Sequence, residues 1–287
     1  MTNVIPIDDL LRFVREDAPW GDLTSETVVP DVVCRAVIRA KGSGVIAGLE
    51  EARALFEHFG VTVYLHTADG REVAAGTAIM DLEGPARAIL LLERTALNII
   101  GRMSGIATAT REAVERVSRV SKGVRVAATR KTAPGLRVLD KKAVILGGGD
   151  PHRCTLSDMI LIKDNHLALV PLPEAIRRAK ARSRYLMIEV EVETVEDAVT
   201  AAEAGARVIM LDNMTPEDVK AAVEALKREG LRERVTLEVS GGVDGADLAV
   251  YAATGVDIIS MGALTHTVRN FDVSLDILKG VFTVRLE

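Results

Sequence analysis

From about residue 124 the chain repeats one pattern: a short apolar run, a turn, then apolar positions at helical spacing. The runs lie at residues 124–129, 159–163, 185–192, 208–212, 235–240 and 257–261, and their length suits strands. The stretches between most of them carry helix signals. Thr194 opens a capping-box variant with Asp197, and Thr215 precedes Pro216 as an N-cap before a proline at the first helical position. Gly205, Gly230 and Gly255 stand where these helices should stop and a left-handed residue is needed. Strand–helix alternation with short turns predicts a parallel sheet, and nearly continuous apolar strands predict cover on both faces. Six such repeats fit a barrel or an open doubly wound sheet, and periodicity leaves both open.

Residues 1–103 read differently. Residues 32–40 alternate as a strand does, 49–59 are helical, and 61–66 and 77–82 resemble further strands around turns such as Asp69-Gly70. Residues 86–120 look largely helical, with interruptions expected at Gly101 and Ser104-Gly105. The pattern predicts an α+β N-terminal domain joined by helices to the parallel repeats.

Composition narrows the class. A chain of 287 residues with 48% apolar and 27% charged residues is an ordinary globular protein with ample core. Its net charge of −5 argues against a general nucleic-acid binder. No apolar run approaches the ~18 residues of a membrane span, and the acidic N-terminal stretch lacks a secretory core, so a cytoplasmic protein is expected. Cys34 and Cys154 alone form no disulfide framework; Cys154 reads as a small buried residue rather than a nucleophile. Glutamine is absent while Arg, Glu and Val abound, a compositional trend of thermophilic proteins.

Against that acidic background the cations concentrate locally. Arg130 and Lys131 follow the first strand-like run, His152 and Arg153 follow Gly147-Gly148-Gly149, and Lys163 ends the second run. Interleaved with glycines and strands, they do not form one solvated helix face. Convergence of five cations from separate loops suits a substrate with several negative charges. In parallel barrels functional groups sit at the carboxyl ends of strands, where Glu191, Asp212, Ser240-Gly241-Gly242 and Met261-Gly262-Ala263 also fall. Glu189 and Glu191 share a face because strand side chains alternate. Inward carboxylates are costly unless paired or metal-bound, so Glu191 and Asp212 read as functional. The two glycine turns precede helical segments, a setting in which backbone N–H groups hold anions. Arg94, read alone, is an ordinary intrahelical ion-pair partner. His166 and His266 fall near the strand ends, His58 and His66 read as surface or packing residues, and no His/Cys cluster has zinc spacing.

The block TRKTAPGLRVLDKKAVILGGGDPHRCTLSDMILIKDNHL resembles the central signature of the quinolinate phosphoribosyltransferases. Further matching segments are Gly21-Asp22-Leu23-Thr24-Ser25, Glu93-Arg94-Thr95-Ala96-Leu97-Asn98, Ser104-Gly105-Ile106-Ala107-Thr108, Ile188-Glu189-Val190-Glu191-Val192, Leu211-Asp212-Asn213-Met214, Ser240-Gly241-Gly242 and Gly262-Ala263-Leu264-Thr265-His266. The resemblance spans nearly the whole chain in order. It implies an α/β protein: an N-terminal α+β open-faced sandwich over 1–103, joined by 268–287 from the C-terminus, and an incomplete parallel α/β barrel over 104–267. It implies phosphoribosyl transfer from phosphoribosyl pyrophosphate to quinolinate with decarboxylation and Mg²⁺, giving nicotinate mononucleotide, pyrophosphate and CO₂ for NAD biosynthesis. Glu191, Asp212 and Lys131 take the catalytic roles by resemblance, with Glu191 and Asp212 also candidate metal ligands. Arg130, His152, Arg153 and Lys163 line the quinolinate pocket. By the same resemblance Arg94 comes from a neighbouring subunit, which makes a homodimer or higher homo-oligomer part of the expectation. Ser240, Gly241, Gly242, Met261, Gly262 and Ala263 bind phosphate. Pro151 stands where the family often has asparagine before the histidine, and is read as a loop variant. The rival readings are a nicotinate or nicotinamide phosphoribosyltransferase, whose pocket would not need Arg130, Arg153 and Lys163 together, and a molybdenum-transport-associated relative without this activity. Such relatives lose part of the Lys163-Asp164-Asn165-His166 segment, which is complete here.

Overall fold

The computed structural model describes residues 5–243, 245 and 247–284, with side chains through residue 279. The chain divides into two compact units: residues 1–109, 138–147 and 268–287 form the first, and residues 110–137 and 148–267 the second. In chain order, α1 (Ile7–Asp17) and α2 (Leu23–Val28) precede β1 (Val32–Ala40), β2 (Gly44–Val45), α3 (Leu49–His58), β3 (Thr62–Leu65), β4 (Glu72–Val73), β5 (Ala78–Pro85) and α4 (Ala86–Ser118). Next come β6 (Arg125–Ala128), α5 (Arg137–Gly147), β7 (Ile160–Ile162), α6 (Asp164–Leu167), α7 (Leu172–Arg182), β8 (Ile188–Val192) and α8 (Val195–Ala204). The chain ends with β9 (Val208–Asp212), α9 (Pro216–Arg228), β10 (Thr236–Ser240), α10 (Leu248–Ala252), β11 (Ile258–Met261), α11 (Ala263–His266) and β12 (Val273–Val284).

The first unit is built on an antiparallel sheet of order β12-β1-β5-β3. Pairing of β12 with β1 brings the end of the chain back as an outer strand. The interruptions expected in α4 are absent: the helix runs unbroken through Gly101, Ser104 and Gly105. These residues serve packing instead. A Cβ on Gly105 would lie 2.2 Å from the carbonyl oxygen of Arg269, and one on Gly101 2.9 Å from that of Phe271. Glycines one turn apart therefore let the returning chain touch the helix backbone, where the Phe271 N–H donates to Gly101 O at 2.8 Å. The Ser104 hydroxyl accepts from Ala47 N at 2.9 Å and donates to Ala47 O at 3.1 Å.

In the second unit six parallel strands follow the order β6-β11-β10-β9-β8-β7. From β7 to β11 each strand lies beside the next in sequence, and β6 then pairs with β11. A doubly wound sheet reverses its order at a switch point; this order runs round in one sense and lacks, among the described residues, only the β6–β7 ladder. It is an incomplete α/β barrel. The segment around Asp150 occupies the free side of β6, where Ala128 N donates to Asp150 O at 2.9 Å and Asp150 N to Val126 O at 2.8 Å.

Helix boundaries follow their signals. Thr194 and Thr215 accept from the Asp197 and Asp218 N–H groups at 3.1 and 3.2 Å, and Gly205 ends α8 at φ 96°. β8 begins later than its apolar run suggests, because Tyr185 and Met187 are 100% and 52% exposed. Period-two alternation then separates two rows. Val190, Ile209, Leu211, Leu237, Val239 and Ile259 are fully buried and join a core with Ile176, Ala198, Val219 and Leu226 from the helices. The alternate row carries Glu189, Glu191 and Glu238, all buried as well. Burying a carboxylate without compensation costs several kcal/mol, so this inner row is where structure alone is an insufficient reason for sequence.

Candidate active site

One cavity of about 330 Å³ opens at the carboxyl ends of the barrel strands. It is lined by Thr129, Arg130 and Lys131 after β6, His152 and Arg153 from the loop beside β6, and Lys163 after β7. Glu191, Asp212, Glu238 and Ser240 contribute from β8, β9 and β10. The strand order makes this convergence inevitable once the register is set: Asp212 is paired with Ser240, and Glu191 with Met210.

Each wall has identifiable supports. The Arg125 guanidinium grips the Asp150 carboxylate, Nη2 to Oδ1 at 2.6 Å, and anchors the loop that carries His152 and Arg153. Arg137 donates to Thr132 Oγ1 at 3.2 Å and to the Cys154 carbonyl at 3.1 Å, tying the two cation-bearing loops together. The carboxylate of Asp158 accepts from Cys154 N and Thr155 N at 2.7 and 2.9 Å. The His166 ring does not line the cavity; its Nδ1 accepts from Lys163 N at 2.9 Å and so shapes the turn that aims Lys163.

The cations sit in an unusual state. Arg153 is only 9% exposed. Burial, and then the charge of Arg130, hold its guanidinium below the usual arginine range, while Glu189 and Asp158 oppose that shift. Arg130 Nε is buried with no hydrogen-bond partner. It is a donor in the cavity wall that an anion could engage. Lys163 Nζ is ion-paired to Glu191 Oε2. His152 adopts φ 55°, a left-handed conformation costing about 1–2 kcal/mol for a residue with a Cβ.

The acid and turn residues are equally fixed. Asp212 Oδ2 accepts from Asn213 Nδ2 at 2.6 Å. Gly241, at φ 88°, permits the close pass of Asn213, whose Oδ1 would lie 2.2 Å from a Cβ there. Gly242 has φ 61°, but α10 begins only at Leu248, so this turn does not directly open a helix as the sequence suggests. Gly262 is the N-cap of the one-turn α11; its missing side chain makes room for Lys131, whose Cδ would be 2.9 Å from a Cβ. Thr265 Oγ1 donates to Lys131 O at 2.9 Å.

Thus the structure gathers Arg130, Lys131, His152, Arg153, Lys163, Glu191, Asp212 and Ser240 in one cavity. Gly241, Gly242, Met261, Gly262 and Ala263 are not among its lining residues. Arg94 is exposed on α4, in the first unit. Cys154 is half-buried and outside the lining, not buried under the pocket. Sequence reasoning missed Glu238. The signal was available: it stands two residues before Ser240 on β10, as Met210 stands two before Asp212 on β9, and so faces the same way.

The chain is thus an α/β barrel with a cation-rich cavity at its strand ends. Residues 22–104 match the quinolinate phosphoribosyl transferase N-terminal domain, and residues 106–276 match the C-terminal domain of the same family. The chain belongs to the quinolinate phosphoribosyltransferase family. It is 48% identical over 261 residues to a probable nicotinate-nucleotide pyrophosphorylase (carboxylating) of Archaeoglobus fulgidus, covering 91% of this chain and all of that one. A protein of the same description from Methanothermobacter thermautotrophicus is 43% identical over 275 residues, 94% of this chain and 98% of the relative. The nicotinate-nucleotide pyrophosphorylase structure from Francisella tularensis superposes with a TM-score of 0.88 at 35% identity, covering 96% of this chain and 98% of that one. A human nicotinic acid phosphoribosyltransferase structure, at 13% identity and a TM-score of 0.58, shares the fold alone.

Proposed function

We propose that this chain transfers the phosphoribosyl group of phosphoribosyl pyrophosphate to the ring nitrogen of quinolinate and releases CO₂, forming nicotinate mononucleotide and pyrophosphate for NAD biosynthesis. The observation that carries the reading is the cavity in which two arginines, a histidine and two lysines meet the strand-end carboxylates Glu191 and Asp212. A monocarboxylate pyridine would leave part of that charge unmatched, which disfavours a nicotinate or nicotinamide substrate. The intact Lys163-Asp164-Asn165-His166 segment disfavours a non-catalytic relative.

In this reading Arg130, Arg153 and Lys163 take the two ring carboxylates, with His152 in the same wall. The ring nitrogen attacks C1 of the ribose as the C1–O bond to pyrophosphate breaks. Positive charge developing at C1 is met by Glu191 and Asp212, preorganised by the ends of β8 and β9. Lys131 stands between the β6 and β11 turns, where a leaving pyrophosphate gains a point charge, and the Ser240-Gly241-Gly242 and Met261-Gly262-Ala263 turns bind phosphate. Nitrogen quaternisation then lets the C2 carboxylate leave as CO₂, the electron pair remains on C2, and C2 takes up a proton. Glu191 and Asp212 also suit Mg²⁺, a hard cation commonly held by one or two carboxylates plus substrate phosphates; bound there it would neutralise pyrophosphate charge. Arg94 reaches the site of a second copy, so the active form is a homodimer. The test is CO₂ release from carboxyl-labelled quinolinate. Release should require both phosphoribosyl pyrophosphate and Mg²⁺, and turnover of nicotinate in place of quinolinate would overturn the substrate assignment.

A further inference from the structure

Beneath the cavity lies a buried group that the reaction itself does not use. Glu189 on β8 is 0% exposed and is not part of the lining; Glu238 on β10 is 1% exposed and reaches the cavity floor. Both point at the same imidazole. His152 Nε2 is within hydrogen-bond distance of Glu189 Oε1 at 3.4 Å, and lies 3.2 Å from Glu189 Oε2 and 3.7 Å from Glu238 Oε2. The other ring nitrogen is occupied too, since Arg153 N–H donates to His152 Nδ1 at 2.7 Å. An Nδ1 that accepts carries no proton, which leaves Nε2 as the protonated nitrogen facing the acids.

Both ring nitrogens of His152 are thereby committed to the protein. The residue holds a left-handed backbone conformation, which persists only where surrounding contacts over-determine it. Its ring is held by two strands of the barrel and its Nδ1 holds the next amide, that of Arg153. Arg153 is itself buried beside the like charge of Arg130, and Glu189 is among the charges that offset this.

We infer that Glu189 and Glu238 form a positioning pair that acts through His152 to hold Arg153 against Arg130, so that selectivity for a ring dicarboxylate is set from below the pocket. The inference rests on the reading of the cavity as the quinolinate site. His152 then works mainly as a strut, and Glu189 is a positioning residue with no contact to substrate.

The pair can be tested in the full chain with Glu189→Ala and Glu189→Gln, titrating quinolinate, nicotinate and phosphoribosyl pyrophosphate separately by calorimetry. Glu189→Ala removes the acceptor for His152 Nε2–H and should weaken quinolinate at least tenfold, nicotinate less, and phosphoribosyl pyrophosphate less than twofold. Glu189→Gln keeps an acceptor oxygen and should retain quinolinate affinity within threefold, or tighten it. Equal losses in both variants, or equal losses for all three ligands, would overturn the positioning role. Unchanged quinolinate affinity in Glu189→Ala would do the same, and a parallel loss in Arg153→Ala would show that the site assignment still stands. Unchanged quinolinate affinity in Arg153→Ala would instead sink the site assignment itself. Should Glu189→Ala fail to fold, ¹⁵N spectra of the His152 ring in the unmodified protein decide the point: an unprotonated Nδ1 with protonated Nε2 supports the strut, and a protonated Nδ1 rules it out.

Discussion

Lys163 and Glu191 are ion-paired across the ends of adjacent strands β7 and β8, with side-chain exposures of 41% and 10%. A cation proposed for quinolinate and a carboxylate proposed for the ribosyl cation therefore neutralise each other. Quinolinate must draw Lys163 away from Glu191 or share it. A pair of this exposure is worth up to about 1 kcal/mol. Glu191→Gln should accordingly tighten quinolinate by about twofold to fivefold in calorimetry without phosphoribosyl pyrophosphate. It should also cut turnover by roughly 10²–10³, the usual loss for one preorganised electrostatic contact. Weaker quinolinate binding would show that Glu191 helps hold the ring.

Asp212→Asn is nearly isosteric and leaves no cavity. On the proposed mechanism its charge matters most when the ribose becomes cationic, so the loss should fall on kcat rather than KM. Magnesium titration separates two roles for Asp212. If turnover returns at high metal, Asp212 chiefly holds the ion; if it does not, the carboxylate acts on the sugar.

Arg153→Ala should abolish most quinolinate binding while leaving phosphoribosyl pyrophosphate nearly untouched. A charge-assisted bond to a desolvated carboxylate is worth about 2–4 kcal/mol, roughly 30- to 1,000-fold in affinity. Burial of Arg153 places it at the upper end. Equal losses for both ligands in separate titrations would move Arg153 out of the quinolinate pocket.

Much of this site is legible from sequence because barrel topology converts strand ends into neighbours. Residues two apart, such as Glu189 and Glu191, must share a face, and six strand ends in cyclic order must meet. What stayed hidden depends on three-dimensional closeness. Nothing local reveals that Glu238 and Glu189 share one imidazole, or that Lys163 is already paired. Gly101 and Gly105 mislead for the same reason: a helix-breaking composition is overridden by a backbone packed against it from residues 269–271. Closure as a barrel, open at periodicity, is decided by the β6–β11 pairing.

Arg94 is exposed on α4 and is proposed above to complete a neighbouring copy's site. Arg94→Ala and Lys163→Ala should each be inactive alone. In a mixed dimer one site carries both lesions and the other neither, so reassembly should restore up to about half of normal activity per active dimer. Heterodimers without activity would confine Arg94 to its own chain.

The same helix offers a stability test in which two effects oppose. Gly→Ala in a helix gains about 0.5–1 kcal/mol, whereas overpacking a filled contact costs about 1–3 kcal/mol. At Gly105 the new Cβ would lie 2.2 Å from a backbone carbonyl, which cannot swing aside as a side-chain tip can. Gly105→Ala should therefore lower Tm, while Gly123→Ala, in the turn after α4 with nothing within 4 Å of its Cβ, should not. A melting scan of both decides whether the 269–271 contact is rigid.

Asp69 links stability to pH. Its Oδ1 accepts from Leu49 N at 2.9 Å at the start of α3, and its Oδ2 is buried with no hydrogen-bond partner. Burial, with the charge of Glu51, pushes its carboxyl up to about 6 from 3.8, against the lowering effects of the Leu49 N–H and Lys142. The folded state thus binds this proton more tightly than the unfolded chain does. The contribution is fully present below about pH 4 and is lost as pH rises through about 6. A shift of this size corresponds to roughly 1–3 kcal/mol. Asp69→Asn retains an oxygen for Leu49 N–H without ever needing to ionise. The variant should be more stable than the parent at pH 7, with the advantage shrinking to nothing below pH 4. Denaturant midpoints measured from pH 3.5 to 8 check this. A variant less stable at pH 7 would mean that the ionised carboxylate, held by Leu49 N–H and Lys142, is worth more than its burial costs.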